Sequence, residues 1–313
     1  MSRAASAVAA ASGPPRRLVR AMPWVFVLIW STGFIVARYG MPHAPPLKFL
    51  TVRFALSIVC FGVWVAWSRP RWPVGRAQFM HLAVVGALIH AGYLGGVWAA
   101  VKLGLGAGTI ALLVGLQPVL TAVWMSSTAG EGHGATVSSR QWLGLALGLV
   151  GLMLVVWHKL GGEITPGNLS LAVFALLSIT VGTLYQKRFV GPCDVRTASV
   201  VQLCAAFVVS LPIALLETEA IDWHPHLIGA LGWSVIALTL GGSSLLYMLI
   251  QRGAATEVTS LLYLVPPCTA VMAWLLFGET LGVPALVGMV LTAVGVALVV
   301  RPAASHEGVR QGA

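Results

Sequence analysis

Long apolar runs alternate along this chain with short segments that hold most of its charged residues. A membrane-spanning helix needs about 20 predominantly apolar residues, with about 17–25 as the usual range. By that criterion the pattern predicts an all-α integral membrane protein with ten transmembrane helices. They cover residues 22–38, 46–67, 78–101, 107–127, 141–158, 168–186, 197–216, 227–250, 255–277 and 283–300.

The basic residues between the runs predict the orientation of these helices. If the N-terminus is cytoplasmic, the cytoplasmic segments hold fourteen Lys and Arg residues and the opposite segments hold four. Basic residues concentrate on the cytoplasmic side of membrane proteins. We therefore predict a multi-pass protein with both termini in the cytoplasm, and we call the opposite side the outer side.

Composition excludes a soluble protein and narrows the partners. The chain is 58% hydrophobic and 9% charged, against about 45–50% and about 25% in ordinary soluble domains. The net charge of +10 would suggest nucleic acid if it formed a patch, but the basic residues are scattered between apolar runs. We predict the lipid bilayer as partner, no nucleic acid and no cofactor.

An internal repeat is visible in two apolar runs, each with a proline followed thirteen residues later by a glutamate. An offset of 148 places Pro118 on Pro266 and Glu131 on Glu279. The chain is thus predicted to contain two five-helix repeats. Because five is odd, the two copies are inverted in the bilayer, an arrangement typical of secondary transporters with a site near the midplane.

The predicted parts are a basic tail (1–21), the first repeat (22–158), an outer linker (159–167), the second repeat (168–300) and a C-terminal tail (301–313).

Three stretches also carry a family resemblance: VFVLIWSTGFIVAR (Val25–Arg38), WAAVKLGLGAGTIALLVGLQPVLTAVWMSSTAGE (Trp98–Glu131) and QRGAATEVTSLLYLVPPCTAVMAWLLFGET (Gln251–Thr280). They resemble the drug/metabolite transporter superfamily, in its ten-helix branch with two EamA-type domains. The resemblance implies a transporter, commonly an inner-membrane exporter of amino acids or other small metabolites. It also implies a central cavity lined by helices 1, 3, 4, 6, 8 and 9.

The prolines inside apolar runs are predicted to shape this cavity. Pro118 has no amide hydrogen, so it bends a helix and leaves the carbonyl of Val114 without its usual partner. Pro266 and Pro267 are expected to do the same in the second repeat. A bare carbonyl is costly in lipid, so it must face protein, water or ligand. The alternative is a bend that only fits two curved helices together.

Two polar side chains within the spans are candidates for transport chemistry. Gln117 needs a hydrogen-bond partner at this depth, and either a ligand or another helix can supply it. His90 lies in the middle of the third span and is the only side chain expected to titrate near neutral pH at that depth. We consider it for proton coupling as well as for a structural bond to a neighbouring helix. Arg53 also lies within a span, where we expect a structural role at the interface or on backbone carbonyls.

Aromatic residues complete the candidate list. Those that lie deep on helices assigned to the cavity by resemblance are Trp30, Tyr93, Trp98, Trp124, Tyr247 and Tyr263. A cavity rich in aromatic side chains suits amphipathic or aromatic solutes. Glu131 and Glu279, which end the repeated motif, are predicted to serve as scaffold at helix ends.

The glycines and an outer histidine cluster have simpler interpretations. Small residues repeat on spans five and ten and favour close helix packing; a homodimer through these spans is left open beside a monomer. Asp222, His224 and His226 form a D-W-H-P-H cluster on an outer loop. We expect these side chains to be solvated and to bind no metal.

The function predicted from these features is a secondary transporter that moves a small organic metabolite by alternating access. No GxxxxGK[ST] nucleotide motif occurs. An intramembrane enzyme would need a nucleophile and base or a carboxylate cluster within the membrane, and the sequence supports neither. A passive channel is the remaining alternative.

Overall fold

The computed structural model describes residues 16–117, 119–121, 124, 139–159, 163–245, 264–280 and 282–300. The regular elements in these residues are helices. They are α1 (Arg16–Gly40), α2 (Pro46–Ser68), α3 (Arg76–Lys102), α4 (Ala107–Val114), α5 (Ser139–Lys159), α6 (Pro166–Phe189), α7 (Val195–Leu216), α8 (Pro225–Leu245), α9 (Val265–Phe277) and α10 (Val283–Val300).

Six of these helices, α1, α2, α3, α6, α7 and α8, are long and apolar enough to cross a membrane. Shorter apolar helices lie in the other predicted spans. The prediction of an all-helical, multi-pass membrane protein is confirmed. Most ends agree within about two residues, but α1 begins at Arg16 and not near residue 22. Arginine is a good helix former, so the helix extends beyond the apolar run on which the sequence prediction depends.

Two of the long helices contain a π-helical segment that the sequence did not predict. In α3 it covers Gly86–Leu94, and in α8 it covers Ser234–Gly241. The two segments begin 148 residues apart, the same offset that relates the proline motifs. In α8 the hydroxyl of Thr239 donates to the carbonyl of Ser234, five residues earlier, at 2.8 Å. Such segments are rare and are frequently found at functional sites.

Helices α4 and α9 pack closely against each other through small residues. A Cβ built on Gly115 would lie 2.8 Å from Pro266 Cγ, and one on Gly108 would lie 3.2 Å from Ala270 Cα. Larger side chains at these positions would separate the helices. The contact therefore joins the two predicted repeats at their proline motifs.

The proline motifs lie at the described ends of these helices, and the bends predicted there remain predictions. Helix α4 ends at Val114, the chain turns at Gly115 and Leu116, and helical residues resume at Gln117, next to Pro118, which lies outside the described residues. Helix α9 begins at Val265, so Pro266 and Pro267 occupy its first turn. Proline is tolerated there because the first amides of a helix have no intrahelical acceptor. Within the described residues, these prolines therefore lie at the start of α9.

Helices α5 and α10 form a pair through the predicted glycine stripe. A Cβ on Gly151 would lie 2.5 Å from the carbonyl oxygen of Gly288, and one on Gly148 would contact Leu116 of the chain after α4. The stripe thus packs α5 against α10 within one chain. The homodimer remains a prediction.

Candidate functional site

Side chains from α2, α3, α7 and α8 meet between the helices in what we call the central polar cluster, defined as Arg53, His90, Tyr93, Gln202 and Thr239. Both π-helical segments contribute, since His90 and Tyr93 lie in the first and Thr239 lies in the second. The cluster therefore draws on both predicted repeats.

Arg53 is the charged member of this cluster and is 8% exposed. Its Nη2 donates to the hydroxyl oxygen of Thr239 at 3.2 Å, and its Cζ lies 6.0 Å from the centre of the Trp98 ring. His90 and Tyr93 lie in the π-helical segment of α3, and His90 contacts Phe54, the neighbour of Arg53 in the chain. Arg53 lies about 10 Å along the axis from Pro46, at a rise of about 1.5 Å per residue. It is therefore a buried cation, and its partner is a hydroxyl, not the interface or carbonyl contacts we expected.

His90 extends the cluster toward α7. Its Nε2 lies 3.4 Å from Oε1 of Gln202, and its ring meets Phe54 edge-on with 6.4 Å between centroids. The amide oxygen can only accept, so this contact assigns the proton to Nε2. Both side chains are half-buried. Of the two roles considered for His90, the described contact is the bond to a neighbouring helix.

The aromatic candidates divide into four groups. Trp30 is half-buried, packs on Phe26 with 5.2 Å between ring centres and lies against Gly242 of α8. Tyr93 and Trp98 are buried, and Trp98 stacks on Phe49. Trp124 is 54% exposed. Outside the described residues lie Tyr247 and Tyr263, together with Pro118 and Glu131 of the proline motif.

Gln117 bonds to another helix. Its Nε2 donates to the hydroxyl oxygen of Thr183 in α6 at 3.0 Å, and Thr183 in turn donates to the carbonyl of Ile179 at 2.7 Å. Gln117 is half-buried. Its amide is thus satisfied by α6 in this structure, the second of the two possibilities set out above.

Two carboxylates cap the N-terminus of α4. Glu279 Oε1 accepts from the amide of Ala107 at 2.7 Å and Oε2 accepts from the amide of Gly108 at 3.2 Å. Glu163 Oε1 accepts from the amide of Gly106 and, at 3.0 Å, from the hydroxyl of Thr109. The first amides of a helix lack intrahelical acceptors and carry partial positive charge, so anions are stabilising there.

The same end of the helical bundle carries further bonds between the two predicted repeats. We call it the outer end, after the predicted orientation. Glu217 accepts from the amides of Leu47 and Lys48 at 3.0 and 2.8 Å. Lys102 Nζ lies 2.7 Å from Glu219 Oε1. Together with the cap on α4, these contacts hold the outer ends of the two repeats together in this structure.

The opposite end is joined mainly by uncharged groups. Gln78 Nε2 donates to the carbonyl of Gly191 at 2.9 Å, and the amide of Gly191 donates back at 3.1 Å. Asp194 caps α7 by accepting from the amide of Arg196, whose side chain it also binds at 2.9 and 2.7 Å. The bond to the Arg196 side chain lowers the pKa of the Asp194 carboxyl.

The structure describes a cavity of about 480 Å³ at this opposite end. Gly62, Val65, Arg69, Trp72 and Val200 are among its lining residues. None of the central polar cluster lines it. The central cavity that the resemblance implies remains a prediction.

Sequence reasoning missed Gln202 and Thr239, and it gave Arg53 only a structural role. A charged residue within a span is a functional candidate by default, so the signal for Arg53 was present. Gln202 carried a weaker signal of the same kind. Nothing in the sequence pointed to Thr239, because its contribution depends on the π-helical segment.

The fold and the polar cluster between its helices are those of a multi-pass helical membrane protein with a buried polar site. The EamA-like transporter family model matches residues 22–157 and 167–301, and the chain belongs to that family. It is therefore a transporter and not an enzyme.

Relatives agree with this assignment. The chain is 25% identical over 281 residues to a probable amino-acid metabolite efflux pump of Salmonella typhimurium, covering 86% of this chain and 90% of that protein. It is 25% identical over 259 residues to the uncharacterized inner membrane transporter YedA of Escherichia coli K12, covering 81% of each. A crystal structure with a TM-score of 0.60 and 16% identity covers 91% of this chain and 98% of that chain, and shows the same fold.

Proposed function

We propose that this transporter exports amino acids or related carboxylate-bearing metabolites across the inner membrane, by alternating access between two inverted five-helix repeats. The proposal rests on the burial and the positive charge of Arg53. Arg53 is buried between α2 and α8, and within the described part of the chain no carboxylate forms an ion pair with it.

A buried cation without an anionic partner is costly. Guanidinium has five N–H donors in a planar fork that matches a carboxylate, and the hydroxyl of Thr239 accounts for one of them. A substrate carboxylate would supply the missing charge. Gln202, which bonds to His90 of the cluster, and Trp30, which lies against Gly242 of α8, are half-buried and suit an amphipathic solute of this kind.

The transport mechanism is supported by the arrangement of the two repeats. The family model matches twice, and the π-helical segments begin 148 residues apart. Helices α4 and α9 meet at their proline motifs, where interrupted helices of inverted-repeat transporters form substrate sites. The bonded outer end would have to separate for release to the outside, and opening α2 away from α8 would expose Arg53.

The name of the Salmonella relative, a probable amino-acid metabolite efflux pump, supports the substrate class and the direction. The name of YedA as an inner membrane transporter supports the location. A metabolite screen of cells that lack or overproduce the protein, with export and uptake measured separately, would identify the substrate.

The role of Arg53 is then tested with that substrate in proteoliposomes. Arg53→Gln should weaken transport of the carboxylate by about 10- to 150-fold, since hydrogen bonds to charged groups contribute about 1.5–3 kcal/mol. Arg53→Lys should retain part of the activity. The comparison is Thr239→Val, which removes the hydroxyl partner and its bond to Ser234 but keeps the guanidinium. Equal transport by wild type and a well-folded Arg53→Gln protein would contradict the proposal.

A carrier also differs from a channel in counterflow. External unlabelled substrate should drive accumulation of labelled substrate, which a passive channel does not do.

His90→Asn, assayed across pH, tests proton coupling: an unchanged pH profile would exclude His90 from it.

A further inference from the structure

Three histidines meet at the outer end, outside the central polar cluster. His43 lies in the turn between α1 and α2, and His224 and His226 lie at the start of α8. One ring nitrogen from each lies within 4.8 Å of the others. The rings of His43 and His224 are stacked with 4.2 Å between centroids, and His226 stands edge-on to His224 at 4.7 Å. We call this group the outer histidine cluster.

The cluster is assembled by contacts between distant parts of the chain. The amide of Asp222 donates to the carbonyl of His43 at 2.8 Å, and His43 Nδ1 lies 2.9 Å from Asp222 Oδ2. A carboxylate only accepts, so Nδ1 of His43 carries the proton and Nε2 presents a lone pair. A carboxylate that orients the far nitrogen of a histidine is the arrangement found around metal-binding histidines.

We propose that His43, His224 and His226 bind a divalent transition-metal ion of the zinc type, with Asp222 orienting His43. Imidazole is a preferred ligand of Zn²⁺, Ni²⁺ and Cu²⁺, whereas Mg²⁺ and Ca²⁺ take oxygen ligands. Three histidines leave a fourth position for water, which is a common arrangement for zinc. The proposal goes beyond the transport function and does not depend on it.

Binding requires the stacked rings of His43 and His224 to tilt, because the in-plane lone pairs of parallel rings do not converge on one ion. Tetrahedral zinc with bonds of about 2.0–2.1 Å places its ligand nitrogens about 3.4 Å apart, so the three rings, which now each have one nitrogen within 4.8 Å of the others, must also move closer together. His43 and His224 are half-buried and His226 is exposed, so their side chains have room to turn. Three carboxylates lie on the same segment, at Glu217, Glu219 and Asp222, and they favour a cation there.

One existing hydrogen bond has to change. Nδ1 of His224 accepts from the amide of His226 at 3.2 Å and so caps α8. Binding through Nε2 of His224 would move its proton to Nδ1 and end this bond. That bond is long and lies at an exposed position, so its loss opposes binding only weakly. Because His43 belongs to the first predicted repeat and the other two belong to the second, the ion would join the repeats at the outer end.

The test uses the full chain, purified in detergent, stripped of metal and carrying no polyhistidine tag. Zn²⁺ is titrated by calorimetry, and Mg²⁺ is titrated in parallel. We expect one Zn²⁺ per chain, a rise in thermal unfolding temperature with Zn²⁺ and no binding of Mg²⁺. His43→Asn and His224→Asn should each weaken Zn²⁺ binding by at least about 100-fold. Asp222→Asn should weaken it by about 10- to 100-fold, as for other residues that orient metal ligands.

The matched control is His81→Asn, because His81 bonds to Tyr185 on α6, away from the cluster. It should bind Zn²⁺ as the wild type does. Size-exclusion profiles without metal show whether each variant is folded. If a histidine variant is not folded, Asp222→Asn still tests the proposal, because it removes no proposed ligand. Unchanged Zn²⁺ affinity in folded His43→Asn or Asp222→Asn protein, or no Zn²⁺ binding by the wild type, would overturn the proposal.

Discussion

Glu279, at the end of α9, accepts a 2.7 Å hydrogen bond at Oε1 from the backbone amide of Ala107, 172 residues earlier in the chain. The second oxygen of the same carboxylate accepts from the next amide, at Gly108. A side chain of one predicted repeat thus caps a helix of the other. The repeated glutamates were predicted to be scaffold at helix ends, and this contact gives Glu279 a specific partner.

Removing this cap should destabilise the protein. Glu279→Ala leaves two amides of α4 without acceptors, and a buried unsatisfied donor costs about 1–3 kcal/mol. The measurement is thermal unfolding in detergent. Glu219→Ala is the control, because it removes an exposed ion pair with Lys102, expected to contribute about 0–1 kcal/mol. Equal effects of the two substitutions would contradict the assignment.

The internal repeat predicts an equivalent contact at the other membrane face. An offset of 148 relates Ala107 to Ala255 and Glu279 to Glu131, so we expect Glu131 to cap the helix that begins near Ala255. In a cysteine-free background, Glu131→Cys with Ala255→Cys should be joined by a short thiol-reactive crosslinker. The pair Glu279→Cys with Ala107→Cys is the positive control. Failure of the first pair where the second succeeds would argue against the inverted repeat.

The glycine contact between α5 and α10 predicts opposite effects of the same substitution at two sites. Gly151→Ala places a methyl 2.5 Å from the carbonyl oxygen of Gly288, and such overpacking costs about 1–3 kcal/mol. Gly62→Ala in α2 meets nothing within 4 Å, and alanine favours a helix over glycine by about 1 kcal/mol. The thermal unfolding temperature should fall in Gly151→Ala and should rise or stay constant in Gly62→Ala.

The bond between Gln117 and Thr183 can be measured by a double-mutant cycle. Gln117→Val and Thr183→Val each remove the 3.0 Å contact, and together they should show a coupling of about 1 kcal/mol. Gln117→Val also copies Val265, the equivalent residue of the second repeat. If the losses of stability in the two single variants add up in the double variant, the bond between the two side chains does not stabilise the packing of α6. Full transport by Gln117→Val would show that Gln117 is dispensable for substrate.

The bond between the Asp194 carboxyl and Arg196 predicts that the stability of the protein depends on pH. Hydrogen bonding to Arg196 lowers the pKa of the Asp194 carboxyl in the folded state. The contribution of Asp194 to the free energy of unfolding is therefore present above the unfolded pKa of about 3.9. It is lost as the pH falls through the lower pKa of the folded state. Asp194→Ala should cost about 0.5–2 kcal/mol at neutral pH as a lost helix cap.

The difference between wild type and Asp194→Ala should therefore shrink as unfolding is measured from pH 7 down to about pH 3. Asp194→Asn is the control, because it retains a neutral cap and isolates the part that depends on charge. A difference between wild type and Asp194→Ala that does not change with pH would contradict the ionic role.

Much of the architecture was readable from local sequence. Helices such as α2 and α7 were predicted almost to the residue, because crossing a bilayer demands a continuous apolar run and a run is a local property. The relation of Pro118 to Pro266, and of Glu131 to Glu279, was likewise visible as a repeat. The outer histidines were located but expected to be solvated, since nothing in the sequence placed His43 beside His224.

The contacts that make the candidate sites were decided only by the tertiary structure. Arg53 and Thr239 are 186 residues apart, and Gln117 and Thr183 are 66 apart. A membrane helix is apolar on most of its faces, so its sequence lacks the polar and apolar faces that orient a helix in a soluble protein. Rotation, tilt and the π-helical register of α3 and α8 set which side chains meet, and these depend on packing. Hydropathy therefore determined where the chain crosses the membrane, and helix packing determined that Arg53 faces Thr239.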